Sequence, residues 1–156
     1  MNIKPLLTLL VVLTTSINFS AIGAEKSEYA VKAQYIGGLL KYTKFNDSKG
    51  YFSIAIVGSN PFGGHAKALE KKRIQNRAVK VTFLKKLPAK NKHYHLIFLS
   101  KTETLRQKDI LKSIGAESLT VGDNKWFLES GGMINLILRQ KKLSLDSNHS
   151  LLKGKS

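Results

Sequence analysis

The stretch Tyr51-Phe52-Ser53-Ile54-Ala55-Ile56-Val57-Gly58-Ser59-Asn60-Pro61-Phe62-Gly63 decides the class of the fold. Its first seven residues are dense in β-branched and aromatic side chains, the composition of a strand. Glycine, asparagine and proline then break the run. Asn60 stands at an N-cap position and Pro61 at the first position of a helix expected from Phe62 to Lys72. A strand that turns directly into a helix is the repeating unit of an α/β sheet.

The alternation continues downstream. Ala78 to Leu84 sets Val79, Val81 and Phe83 against Lys80 and Thr82, a second strand. His95 to Ser100 is continuously apolar, as in a strand buried on both faces. A helix is expected over Thr102 to Ile114, with Leu105, Ile110, Leu111 and Ile114 inward and Gly115 closing it. Ser118 to Val121 reads as a fourth strand, Gly122 to Gly132 as a loop or broken helical turn, and Met133–Leu138 with Leu143–Leu145 as a terminal hairpin. Upstream, Ser27-Glu28 open a helix carrying two apolar stripes. One holds Tyr29, Ala33, Ile36 and Leu40; the other holds Val31, Tyr35, Leu39 and Tyr42. Such a helix is expected to be covered on more than one side, with Gly37-Gly38 marking a kink or a close approach of another backbone. The expected fold class is α/β: a single Rossmann-like domain, a mostly parallel sheet with helices on both faces, and a C-terminal edge hairpin.

The N-terminus carries Lys4, a short apolar run from Leu6, and Ala21-Ile22-Gly23-Ala24. This pattern reads as a secretory signal peptide over residues 1–24, cleaved after Ala24. The run is shorter than the roughly 20 apolar residues of a stable membrane-spanning helix. An uncleaved anchor is the alternative, and both place residue 25 onward outside the cytoplasm, in the periplasm. About 130 residues then remain, enough for one domain. The reading divides them into an α/β domain over 25–146 and a polar, basic, disordered tail over 147–156. The absence of cysteine excludes disulfides, thiolate metal sites and cysteine nucleophiles. Lys and Arg number 26 against 10 acidic residues, a formal net charge of +16. In the cytoplasm this would point to nucleic acid. After export it points to anionic lipid headgroups or an acidic partner domain, with a merely solvated basic surface as the plain alternative.

Candidate chemistry is thin. Gly58-Ser59-Asn60-Pro61-Phe62-Gly63-Gly64 lacks the phosphate-loop order, and its proline removes an amide. His93 and His95 share a strand face but have no third ligand nearby in sequence, so no metal is expected. Asp109, Asp123 and Glu129 read as solvent-facing or capping, and no Gly-x-Ser-x-Gly turn occurs. No catalytic residue and no cofactor are expected; the chain does not read as an enzyme.

Three blocks together resemble the YfiR-like family of exported bacterial regulators. They are Tyr29-Ala30-Val31-Lys32-Ala33-Gln34-Tyr35-Ile36 leading to Phe45; Phe52 to Gly58 with Asn60-Pro61-Phe62-Gly63; and His95 to Ser100, Leu119 to Asp123, and Gly131-Gly132-Met133-Ile134-Asn135-Leu136. The resemblance implies a periplasmic α/β domain, able to dimerise, that binds the periplasmic sensory domain of an inner-membrane diguanylate cyclase and restrains cyclic di-GMP signalling and biofilm formation. It implies no catalytic residues. Gly37-Gly38 departs from the family's aromatic-Asn pair, and residues 147–156 depart from its closing helix.

Gly131-Gly132 marks positive φ or close chain approach, and a buried Asn135 must tie down a neighbouring loop. Trp126-Phe127 is either core packing or an exposed anchor. The expected partner surface combines Trp126, Phe127, Gly131 and Gly132 with Tyr35 and Leu39 of the first helix. A periplasmic module for a small anionic ligand, held at the carboxyl edge of the parallel strands, is the alternative.

Overall fold

The computed structural model describes residues 20–88, 93–140, 142–153 and 155, with side chains from Glu28 onward. Residues 1–19 of the expected leader lie outside the described residues. No helix among the described residues is long and apolar enough to cross a membrane.

The elements run α1 (Ser20–Tyr42), β1 (Tyr51–Val57), α2 (Gly64–Glu70), β2 (Arg73–Ile74), β3 (Arg77–Leu84), β4 (Leu96–Leu99), α3 (Gln107–Ser113), β5 (Leu119–Gly122), β6 (Ile134–Arg139), β7 (Lys142–Ser147) and α4 (His149–Leu152). One sheet takes the order β2-β3-β1-β4-β5-β6-β7. The five central strands are parallel, and β2 and β7 are antiparallel edges. The expected α/β class holds. Helices α1 and α2 cover one face through Tyr29, Ile36, Leu40 and Leu69; α3 covers the other through Leu111, beside Phe127.

Four local expectations are corrected. Helix α2 starts at Gly64, because Phe62 first drops into the core between Tyr29 and Phe98. Asn60 instead closes a tight turn, its Oδ1 accepting the Phe62 N–H at 3.0 Å. The helix expected over Thr102–Ile114 is split. Lys101–Glu103 forms a 3₁₀ turn capped by Ser100, and α3 begins at Gln107. The split leaves Leu105 fully exposed, at 100% of its accessible surface, instead of inward. Strand β2 went unforeseen; Gln75 and Asn76 both take positive φ, the backbone of a two-residue hairpin turn. The tail expected to be disordered continues β7 to Ser147 and forms α4. Backbone hydrogen bonds hold it: Asn148 N–H donates to Met133 O, and Lys44 N–H donates to Lys155 O.

Helix α1 passes through Gly37 and Gly38 without a break. Its first stripe is buried as expected: Tyr29, Ala33, Ile36 and Leu40 lie in the core. Its second stripe is only partly covered: Leu39 packs against the core, whereas Tyr35 is 39% and Tyr42 75% exposed. Lys32 sets this rotation. Its side chain is fully buried, with Nζ paired to Glu28 and lying 3.0 Å from Asp123 Oδ2. The Tyr29 hydroxyl donates to the same oxygen at 2.6 Å. Asp123 immediately follows β5 and is buried, correcting its reading as solvent-facing.

Removing Asp123 takes one of two carboxylates from a buried ammonium and an acceptor from the Tyr29 hydroxyl. Asp123→Ala is therefore expected to lower unfolding free energy by about 3–5 kcal/mol in urea titration. The double change Lys32→Met with Asp123→Leu should recover most of that loss, and a double variant no better than the single one would contradict this account.

Candidate functional site

Strand order reverses between β1 and β4, so an open α/β sheet would hold a ligand at their carboxyl ends. Here that crevice is filled. Gly58 adopts φ +93°, and a Cβ placed on it would lie 2.6 Å from Thr102 Oγ1 and 2.9 Å from Glu103 Oε1. Ser59, Ser100 and Thr102 bond one another across the gap, with Ser59 Oγ 2.9 Å from Ser100 Oγ and Ser59 N–H donating to Thr102 Oγ1. At the strand-order reversal, where an anionic ligand was expected, protein side chains meet one another instead.

The amino edge carries a constellation that the sequence did not disclose, built from Asp47, Ser53, Arg77 and His95. Ser53 N–H donates to His95 Nδ1 at 2.9 Å. Nδ1 is therefore the bare nitrogen, and Nε2–H donates to Asp47 Oδ2. Arg77 Nη2 donates to Asp47 Oδ1 at 2.7 Å and to Tyr51 O at 3.0 Å, with its guanidinium stacked 3.9 Å over the Phe52 ring. Ser53 Oγ also lies 2.8 Å from His95 Nδ1, which gives a serine–histidine–aspartate chain. It is not set up for acyl transfer. The Nδ1 lone pair is already taken by the Ser53 amide, and Ser53 sits within a regular strand rather than at a strained turn. Both ring nitrogens of His95 are engaged, so it offers no lone pair to a metal shared with His93. The four residues come from β1, β3, the position just before β4 and a loop, and no local spacing signals the cluster.

Burial pushes the His95 imidazole below its ordinary 6.5; Asp47 pulls it up but does not compensate, and Arg77 and Lys49 push it down further. Burial alone would raise Asp47, but the Lys49 N–H, His95 and Arg77 outweigh it and hold the carboxyl below 3.8. The unfolded chain therefore takes up a proton at His95 before the folded chain does. Stability should fall as pH drops from about 6.5 toward the folded value, with Asp47 adding a further loss below its own unfolded value. Thermal midpoints between about pH 7.5 and about pH 5.5 should decline less steeply for His95→Gln than for the unaltered protein. Parallel slopes would refute the assignment.

A cavity of 490 Å³ opens beside this cluster, lined by Lys44, Asp47, His93, Glu117, Met133 and Lys155 among others. Its best-placed cation is engaged: Lys155 Nζ donates to Glu117 O at 2.8 Å, and burial pushes its ammonium down.

The second opening is apolar. A groove of 390 Å³ runs between α1 and the β6–β7 hairpin, lined by Tyr35, Leu39, Tyr42, Ile134, Leu145 and Leu152, with Gly38 between the aromatic rims. It is where the second stripe of α1 goes. Of the residues expected to form one partner surface, Tyr35 and Leu39 line this groove, whereas Trp126, Phe127, Gly131 and Gly132 do not. Phe127 is fully buried, its ring clasped by two glycines; a Cβ on Gly122 or Gly132 would lie 2.3 or 2.2 Å from it. Gly131 takes φ +101°, and Asn135 Nδ2 donates to Asn124 O at 2.6 Å, tying that loop to β6. Trp126 is the exposed member of its pair, at 55%.

The parallel core with its antiparallel hairpin, the Gly122–Gly132 clasp on Phe127 and the Asn135 tie all lie within a stretch, residues 29–155, that matches one family. The chain belongs to the YfiR/HmsC-like family. The match extends through α4 to residue 155, so the segment set apart as a departing tail is part of the family domain. No curated protein matches the sequence. YfiR/HmsC-like proteins are periplasmic regulators of diguanylate cyclase signalling in general, and not an enzyme family.

Proposed function

We propose that this YfiR/HmsC-like chain is exported, with residues 1–24 as its leader. In the periplasm it binds the sensory domain of an inner-membrane diguanylate cyclase and restrains cyclic di-GMP synthesis without catalysing a reaction itself. The observation that carries the reading is the apolar groove between α1 and the β6–β7 hairpin. A helix buries an apolar stripe when it can, and exposed aromatic surface beside a concave apolar wall is the usual form of a protein-docking site. The filled carboxyl edge supports a protein partner over a small ligand. Charge supports a partner other than a second copy, since two strongly basic bodies repel while an acidic sensory domain is attracted. The 490 Å³ cavity at the amino edge keeps a small-ligand module as the second reading, there rather than at the carboxyl edge.

A Cβ on Gly38 meets nothing within 4 Å, so a larger side chain fills the groove without straining the fold. Gly38→Leu is expected to reduce capture of a cyclase from solubilised membranes by more than about ten-fold while the unfolding midpoint is maintained. Deleting the gene should raise cellular cyclic di-GMP. Unimpaired capture by Gly38→Leu would remove the groove from the interface, and unchanged second-messenger levels with no cyclase captured would overturn the regulatory reading.

A further inference from the structure

A second exposed apolar feature lies outside the groove. Leu105 follows the carboxyl end of β4 and Trp126 follows the carboxyl end of its neighbour β5, so both project from the same edge of the sheet. Leu105 has no cover at all, and the indole of Trp126 is more than half exposed. Gln107 stitches the two segments together. Its Nε2 donates to Trp126 O at 3.3 Å and to Ser130 Oγ at 2.9 Å, and its Oε1 accepts from Asn124 Nδ2 at 2.7 Å. The turn that puts Leu105 outward and the loop that puts Trp126 outward are thus held as one surface.

The charges around them are mostly basic. Lys101, Arg106, Lys108 and Lys125 belong to these two segments, and Lys125 Nζ lies 4.9 Å from the Trp126 ring centroid. Of the four carboxylates there, Glu103 is buried against Arg106 and Asp123 against Lys32, leaving Asp109 and Glu129 exposed. An aliphatic tip and an indole, with more free cations than free carboxylates on their two segments, match the layered chemistry of a bilayer surface. The indole sits at headgroup depth, the leucine enters the acyl boundary, and the cations meet lipid phosphates.

We propose that the carboxyl edge, through Leu105 and Trp126, docks on the surface of a membrane rich in anionic phospholipid. A protein partner would need a pocket shaped to each of these exposed side chains, whereas a deformable bilayer surface accommodates both. Contact of this kind is reversible and salt-dependent, because a few residues and one basic edge do not anchor a chain permanently. It is independent of the groove, which Leu105 and Trp126 do not line.

Trp126 is the only tryptophan, so its emission reports this edge alone. Protein purified from cells expressing the whole gene is titrated with vesicles of phosphatidylglycerol and phosphatidylcholine, and separately with phosphatidylcholine alone. The expected result is a blue shift with the anionic vesicles, absent with the neutral ones and reversed by added salt. Leu105→Glu should weaken vesicle binding by about ten-fold or more, with Leu105→Ser intermediate. Because Leu105 is fully exposed, both variants should keep the unfolding midpoint. Three results would each overturn the proposal: no binding, binding without a change in emission, or a shift that needs an added cyclase sensory domain. Pure lipid vesicles contain no cyclase, so this outcome is independent of the regulatory reading.

Discussion

The burial of one charged side chain governs how this molecule presents itself. Lys32 points inward from a helix whose circumference is apolar on two stripes, and its ammonium is held by Glu28 and by Asp123 at the end of β5. Neighbouring residues on a helix point about 100° apart, so the two stripes lie on different sides of α1 and burying one leaves the other facing outward. Hydrophobicity alone hardly distinguishes Tyr29, Ala33, Ile36 and Leu40 from Val31, Tyr35, Leu39 and Tyr42. The ion pair does, because Asp123 is fixed at the end of β5 and a fully buried lysine needs it beside Glu28 to offset the cost of desolvation. The exposed stripe, and the groove it makes with the β6–β7 hairpin, follow from that choice.

The two ends of the sheet then take different parts. At the carboxyl end, Gly58 lets Thr102 and Glu103 close over the strand-order reversal, so the place where such sheets usually receive ligands is packed with protein. The same packing stops the helix after β4 at Glu103 and restarts it at Gln107, which forces Leu105 out. At the amino end, polar residues converge under the α1–β1 loop, and the last residues of the domain cross beside them through Lys155. The segment after β7 belongs to the architecture because its backbone closes one side of that cavity.

What was legible in the chain was whatever local pattern controls. The strand runs, the strand–turn–helix at Val57–Gly63, the paired glycines before Met133 and the tie made by Asn135 could all be read from spacing and residue type, and they define most of the fold. Features set by distant contacts could not. The 3₁₀ turn at Lys101–Glu103 packs against Gly58, more than forty residues earlier. The Asp47–His95–Arg77 cluster joins residues that no periodicity links. Trp126-Phe127 could be read only as a pair with two possible fates, and the structure assigns one to each residue. The partner surface was legible only in part: the α1 stripe held Tyr35 and Leu39, but nothing local showed that Trp126 would stand apart from them.

The clasp around Phe127 has an effect on its neighbour. With that ring locked between Gly122 and Gly132, and with Trp126 O accepting from both Gln107 and the Ser130 N–H, the peptide backbone under the indole has little freedom left. Whatever meets the indole encounters a surface whose ordering was completed during folding, so little further entropy is lost on contact and a brief, repeated encounter suffices.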